Sequence, residues 1–347
     1  MAGEERVLTQ RDLNRALLAR QLLLERAKAP LPRALERVGG IQAQYAPSMY
    51  IGLWSRLEAF EREQLTSALE RRSVVQGTLM RTTIHLVSKG DYWLFAVGIR
   101  RLQREWWVRT HKDLDEQEVK AAARKLRPHL RKGPLRQAEV NELLAANSAT
   151  RNGVGIFLNL VRVPPSGTWE RRRADIYALA EDWIEPEQVT EQEGIDLLVR
   201  RYLSGFGPAP KADIADWAAL NIADVTSAVE RIELRRCRDE HGKELFDLPR
   251  APLPDPETPA PVRFLPVWDA TLLVHARRTG ILPEEYRPRV FNVKTPHSVN
   301  TFLVDGQVAG TWNYDKGAVK LSPFDRLDRA TRRELDDEAE RLAELHA

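Results

Sequence analysis

A chain of 347 residues with 43% hydrophobic and 30% charged residues is long enough for two or three domains around a sizeable core, and its composition excludes a disordered or fibrous protein. The longest apolar run, near Tyr92–Ile99, falls far short of the roughly 18 residues a membrane helix needs, so no membrane association is expected. A single cysteine, Cys237, excludes an internal disulfide framework and a cysteine-rich zinc site; Glu4, Glu5 and Arg6 stand where a secretory signal needs apolar residues, and the expected location is the cytoplasm.

The formal net charge is only +3, but it is unevenly spread. Arg100–Arg136 carries 12 Lys and Arg against 5 Asp and Glu, and Arg151–Arg173 carries 5 against 1, whereas Phe324–Ala347 carries 5 against 8. The basic centre predicts a polyanion as partner, and the acidic end a solvated terminal helix.

Along the chain, Thr9 precedes Leu13, Leu17, Leu18 and Leu22 at a spacing near 3.6, which predicts a capped helix over Thr9–Ala27, ended by Pro30 and Pro32. Helices follow over Pro32–Ile41, Ser48–Leu57 and Glu61–Arg71, then strands Val74–Met80 and Thr83–Val87 joined by Arg81 and Thr82. Helices and then a hairpin is the order of a winged helix. The order returns with helices Glu116–Leu130, Leu135–Ala146 and Asn152–Val163 and a wing at Trp169–Ala178. It returns again with Thr190–Ser204, Lys211–Leu220, Asn221–Ile232 and a hairpin over Arg235–Leu248; in Lys211–Leu220 the pattern turns Ile214 and Trp217 inward and Asp213 and Asp216 outward.

Five prolines between Ala251 and Val262 predict a linker. Beyond it Phe264–Trp268, Thr271–His275, Arg289–Val293, Thr301–Val304 and Val308–Trp312 have strand character, with Asp305-Gly306 a type I′ hairpin signal. The expected architecture is α+β: three tandem winged-helix units over 1–100, 101–185 and 186–250, then a linker, a small β-rich, barrel-like domain and a terminal helix over 251–347.

Several chemistries have no support. The seven histidines form no His-x-x-x-His pair, Gly153-Val-Gly155 lacks the rest of a dinucleotide fingerprint, and there is neither a phosphate-binding Gly-Lys-Ser/Thr loop nor a Gly-x-Ser-x-Gly elbow. No metal, no nucleotide cofactor and no serine or cysteine nucleophile is expected. What remains is Gln42-Ala-Gln44 after Gly39-Gly40-Ile41: two amides that face the same way if the backbone is extended.

Context gives that pair its meaning. Leu13–Leu24, Gly40-Ile-Gln-Ala-Gln44, Gly52–Leu57, Arg81-Thr-Thr-Ile-His-Leu-Val87, Phe264-Leu-Pro-Val-Trp-Asp269, Leu282–Arg287 and Val304–Trp312 together resemble the winged-helix DNA glycosylases of the AlkZ and YcaQ type. The resemblance implies three tandem winged helices with a β-barrel-like C-terminal part, removal of purines alkylated at ring position 7, and unhooking of interstrand cross-links in some members. Gln-x-Gln rather than Gln-x-Asp places it with the AlkZ branch, which includes self-resistance enzymes.

The resemblance assigns catalysis to Gln42 and Gln44, and DNA contacts to Arg81 on a phosphate, His85 beside the pair, Asp269 and His275. The loop Lys294–Asn300 departs from relatives and offers His297 as a contact to a bulky adduct, or is simply an exposed loop. The expected partner is double-stranded alkylated DNA bound by a monomer. With no lysine or N-terminal proline placed to form a Schiff base, the expected enzyme is a monofunctional glycosylase. The competing reading is a non-catalytic winged-helix transcription regulator, which has no need of two paired glutamines.

Overall fold

The computed structural model describes residues 6–112, 115–145, 148–273, 280–291 and 298–347. Strand β1 (Val7–Leu8) leads into α1 (Gln10–Arg20), closed by a capping box in which Thr9 Oγ1 accepts from the Asp12 N–H and the Asp12 carboxylate accepts from the Thr9 N–H. Helix α2 (Leu31–Val38) begins at the expected prolines but stops at Gly39, whose φ of 81° only glycine adopts cheaply. Ile41 and Gln42 are thereby released as strand β2 (Ile41–Gln42).

Helices α3 (Ala46–Arg56) and α4 (Arg62–Glu70) and the hairpin β3 (Val74–Thr78) and β4 (Ile84–Ser88) follow, broken at Arg81 and Thr82 as the sequence indicates. Helix α5 (Lys89–Thr110) was not among the expected elements. Its N-cap is Ser88, whose hydroxyl accepts from the Asp91 N–H at 3.1 Å.

Next come α6 (Glu116–Leu130), β5 (Leu135–Arg136), α7 (Gln137–Leu144), α8 (Ser148–Phe157), β6 (Leu160–Arg162), β7 (Ile176–Leu179) and α9 (Ala180–Trp183). Helices α10 (Glu191–Phe206), α11 (Lys211–Ala218) and α12 (Ile222–Arg231) precede the hairpin β8 (Arg235–Asp239) and β9 (Glu244–Asp247). Asp213 lies on the inner side of α11, 7% exposed, against the outward position expected of it. After the extended proline-rich stretch the chain forms β10 (Arg263–Leu265), α13 (Ala270–Leu273), α14 (Arg287–Val290), β11 (Thr301–Val304), β12 (Gln307–Asp315), β13 (Ala318–Pro323) and α15 (Arg329–His346). Among the described residues no helix is long and apolar enough to cross a membrane.

Three sheets organise these elements. The largest has the order β2-β4-β3-β6-β7-β5, so the hairpins of the first and second units are fused through β3 and β6, with Gln76 opposite Arg162 and Gly77 opposite Val161. A second sheet, β1-β8-β9, pairs the N-terminal strand in parallel with the third hairpin. The third is the antiparallel sheet β10-β11-β12-β13, open at both ends among the described residues and covered by α15 through Leu335 and Leu342.

The barrel-like expectation is corrected to this open sheet. Two expected strands start as helical turns where they are described: Thr271–Leu273 lies in α13 and Arg289–Val290 in α14. Asp269 Oδ1 accepts from the Thr271 N–H at 3.0 Å and starts α13, and Pro288 fixes the first turn of α14, so local capping overrides the β-branched content. The hairpin signal holds: Asp305 and Gly306 both have positive φ, 45° and 79°, as a type I′ turn requires.

One hydrophobic cluster, with Trp107, Val119, Leu126, Val140 and Leu179, lies within 101–185, while two larger ones draw on several of the expected units. Of these two, one joins Leu17, Val75, Phe95, Val161, Leu198 and Leu303, and the other joins Leu35, Tyr50, Phe264, Trp312 and Leu342. Helices α5 and α10 touch backbone to backbone: a Cβ on Gly194 would stand 2.7 Å from the Gly98 Cα, so a side chain there would push the helices apart. Full burial of a residue such as Phe95 stabilises by roughly 2–3 kcal/mol, and these contacts weld the units into one scaffold.

Candidate active site

The glutamine pair sits where β2 leaves the edge of the six-stranded sheet. Gln42 lies directly opposite His85 on β4, and the Ala43 N–H donates to Ile84 O at 2.7 Å, which keeps the backbone extended through the motif. Residues two apart in such a backbone share a face. Gln42 is 6% exposed and Gln44 is exposed, and Gln42 Nε2 donates to Gln44 Oε1.

Arg81 reaches the same point from the turn between β3 and β4. Arg81 and Thr82 both adopt left-handed φ, 53° and 56°, a strain of order 1 kcal/mol or more each for residues with a Cβ. The guanidinium donates through Nη2 to Gln42 Oε1 at 3.3 Å and through Nη1 to the carbonyl of Trp217 in α11. These two bonds engage both terminal nitrogens of the half-buried guanidinium within the protein. Burial holds its pKa down at about 10, with no acidic group opposing that shift.

His85 is 3% exposed, and burial together with the neighbouring Arg81 charge lowers its pKa to about 3. Its Nδ1 donates to Thr83 O at 3.1 Å, a bond that only partly offsets this lowering, so the ring is neutral near pH 7. The site therefore consists of two neutral amides, a neutral imidazole and one half-buried cation.

Asp269 is buried, 6% exposed. Its carboxylate takes two 2.9 Å bonds from Arg56 of α3, both side chains being 3% exposed. Arg56 also donates to Gly52 O and to Gln21 Oε1, and Gln21 Nε2 donates to Val38 O and Gly205 O. That network ties α1, α2, α3, α10 and the C-terminal module together, so the Asp269 carboxylate is engaged in holding α3 in place. His275 and His297 lie outside the described residues.

Two residues that the sequence reading did not single out border the pair. Tyr45 follows Gln44, is 39% exposed and accepts through its hydroxyl from Arg172 Nη1 at 3.2 Å. Arg172 belongs to the triplet Arg171–Arg173 in the loop between β6 and β7. An aromatic residue next to the glutamines and a run of three arginines are signals that could have drawn attention to both. On the far side of Arg81 and Thr82 a cavity of about 380 Å³ is lined by Gln103, Trp106, Arg109, Leu220 and Asn221.

A scaffold of helix-and-hairpin units with a basic centre, carrying a paired amide beside a half-buried cation, has the makings of an enzyme that works on a polyanion. The family described as DNA glycosylase AlkZ-like matches residues 35–345. The chain belongs to that family of DNA repair enzymes acting on glycosidic bonds. The solved structure of the Streptomyces sahachiroi DNA glycosylase AlkZ superimposes with a TM-score of 0.81 at 18% identity, covering 98% of this chain and 97% of that one, so the two share a fold. No curated protein matches significantly in sequence.

Proposed function

We propose that the chain is a monofunctional glycosylase for double-stranded DNA that removes purines alkylated at ring position 7, with Gln42 and Gln44 as its catalytic pair. The observation that carries this reading is the hydrogen bond between the two amides at the solvent edge of an otherwise buried site. Alkylation at position 7 makes the purine cationic, so the leaving group is already activated. The sugar C1′–purine N9 bond breaks, its electron pair neutralises the ring, water adds to C1′, and the proton passes to solvent.

What the protein has to supply is a held water and a negative dipole end toward an oxocarbenium-like centre. Amide carbonyls supply both, and a neutral His85 supports a mechanism with no protein acid. An undamaged purine, with its poor leaving group, survives such a site. The three helix-and-hairpin units are read as tandem winged helices gripping the duplex as a monomer. The exposed position of Gln44 and the cavity beside Arg81 favour bulky adducts or cross-links as lesions, in keeping with a self-resistance role.

Single-turnover excision from a duplex containing 7-methylguanine tests the proposal. The expected product is an abasic site with no protein–DNA adduct after borohydride reduction. Gln42→Ala and Gln44→Ala should each slow excision by roughly 10- to 1000-fold with folding and DNA affinity nearly unchanged, and the double variant should lose less than the product of the two. Alanine variants as fast as the parent would return the chain to the non-catalytic reading.

A further inference from the structure

The hydrogen bonds along the glutamine pair run in one direction, and that direction is set from outside the motif. An arginine side chain has only N–H donors. With Arg81 Nη2 3.3 Å from Gln42 Oε1, Gln42 has to turn its carbonyl toward Arg81. Its NH2 group is then what remains for Gln44, and it donates to Gln44 Oε1. Gln44 so spends one carbonyl lone pair on Gln42 and keeps the second for a donor at its exposed end. Arg81 is not free to turn away, because Nη1 is engaged with Trp217 O and its backbone is held in the left-handed turn.

We infer that Arg81 is a positioning residue: acting through Gln42, it holds the Gln44 carbonyl toward the attacking water. The inference rests on the hydrolytic reading above. Without Arg81 the Gln42 amide can turn over, since its two ends have nearly the same shape, and Gln44 then turns with it. The site would present an NH2 group where a carbonyl is needed, the wrong pole both for accepting a hydrogen bond from water and for facing positive charge at C1′. With Arg81 in place the two amide dipoles align end to end and polarise one another. Position 42 must therefore both accept and donate, whereas position 44 only has to accept.

A double-mutant cycle reads this out through single-turnover excision of 7-methylguanine, with duplex affinity measured alongside. Arg81→Met keeps much of the side-chain bulk and donates nothing. Gln44→Glu presents acceptors whichever way residue 42 is turned. Arg81→Met is expected to slow the parent about 10- to 100-fold, but to slow Gln44→Glu by less than about 3-fold, with affinity changed by no more than about 2-fold in either background.

Equal losses in both backgrounds, or a loss that appears as weaker duplex binding, overturn the inference and leave Arg81 a structural or phosphate-contacting residue. If Gln44→Ala is as fast as the parent, the hydrolytic reading falls and takes this inference with it. If Gln44→Ala is slow but the cycle is additive, only the role of Arg81 is rejected. Should Arg81→Met fail to fold, Gln42→Glu asks the same question, because it keeps the acceptor for Arg81 and loses the donor to Gln44. It is expected to be as slow as Gln42→Ala, and parental speed overturns the inference.

Discussion

Removing the Asp269 carboxylate would leave a charged guanidinium stranded in the interior. Arg56 and Asp269 are each 3% exposed and share two bonds of 2.9 Å, and truncating one partner of such a buried pair costs about 3–5 kcal/mol. Loss of the Asp269 cap on α13 adds about 1 kcal/mol. For a chain of this length each kcal/mol moves the midpoint by about 2 °C, so Asp269→Ala should lower Tm by roughly 8–12 °C.

Thermal and urea melts of Asp269→Ala beside a combined Arg56→Met, Asp269→Leu variant decide the matter. The combined variant should recover much of the loss, because two apolar side chains leave no charge uncompensated. Excision by the fraction that remains folded should be near parental, since neither residue touches the glutamines. An Asp269→Ala variant that melts within about 1 °C of the parent but binds duplex about tenfold more weakly would refute this reasoning and return Asp269 to the DNA contacts first expected of it.

Three further outcomes follow from charge. With His85 at about 3 and Arg81 at about 10, neither titrates between pH 5 and 9, so the single-turnover rate should be flat there, and an inflection near 6 to 7 would contradict a neutral, buried His85. Stability behaves differently: His85 and His346 have folded values of about 3 and 4 against 6.5 unfolded, so the unfolded chain binds more protons in that interval and Tm should fall as pH drops from about 6.5 toward 4. Affinity for undamaged duplex should fall steeply with salt if the basic centre meets phosphates. Arg101, already paired with Glu105, Glu191 and Asp224, should contribute nothing to that slope, so Arg101→Gln should leave it unchanged.

What the sequence revealed was local. Helix α6 matches its expected bounds because Asp115 caps it and Val119, Ala123, Leu126 and Leu130 repeat at helical spacing. The break between β3 and β4 and the Asp305-Gly306 turn were legible for the same reason. Helix α5 escaped notice although Ser88 and Asp91 spell a helix start, because its apolar residues were read only as the longest hydrophobic run. The site was half legible. The glutamines stood out, but Arg81 is 39 residues from Gln42 and Arg56 is 213 from Asp269, and pairings at such separations are decided by how the units pack. The same holds for the junction of β3 with β6, which joins two hairpins that read as separate wings.

If DNA lies across both hairpins, that junction also decides which molecule bends. A hinge between the first two hairpins would have to break ladder bonds worth about 1 kcal/mol each and split a core the two units share, so DNA lying across both meets a fixed template. Accommodation then falls on the nucleic acid, whose deformation costs on the order of a few kcal/mol and depends on how well its steps are stacked. A stretch weakened by damage conforms at lower cost than an intact one. Discrimination would thus begin in the stiffness of the DNA, before any base comes near the glutamines.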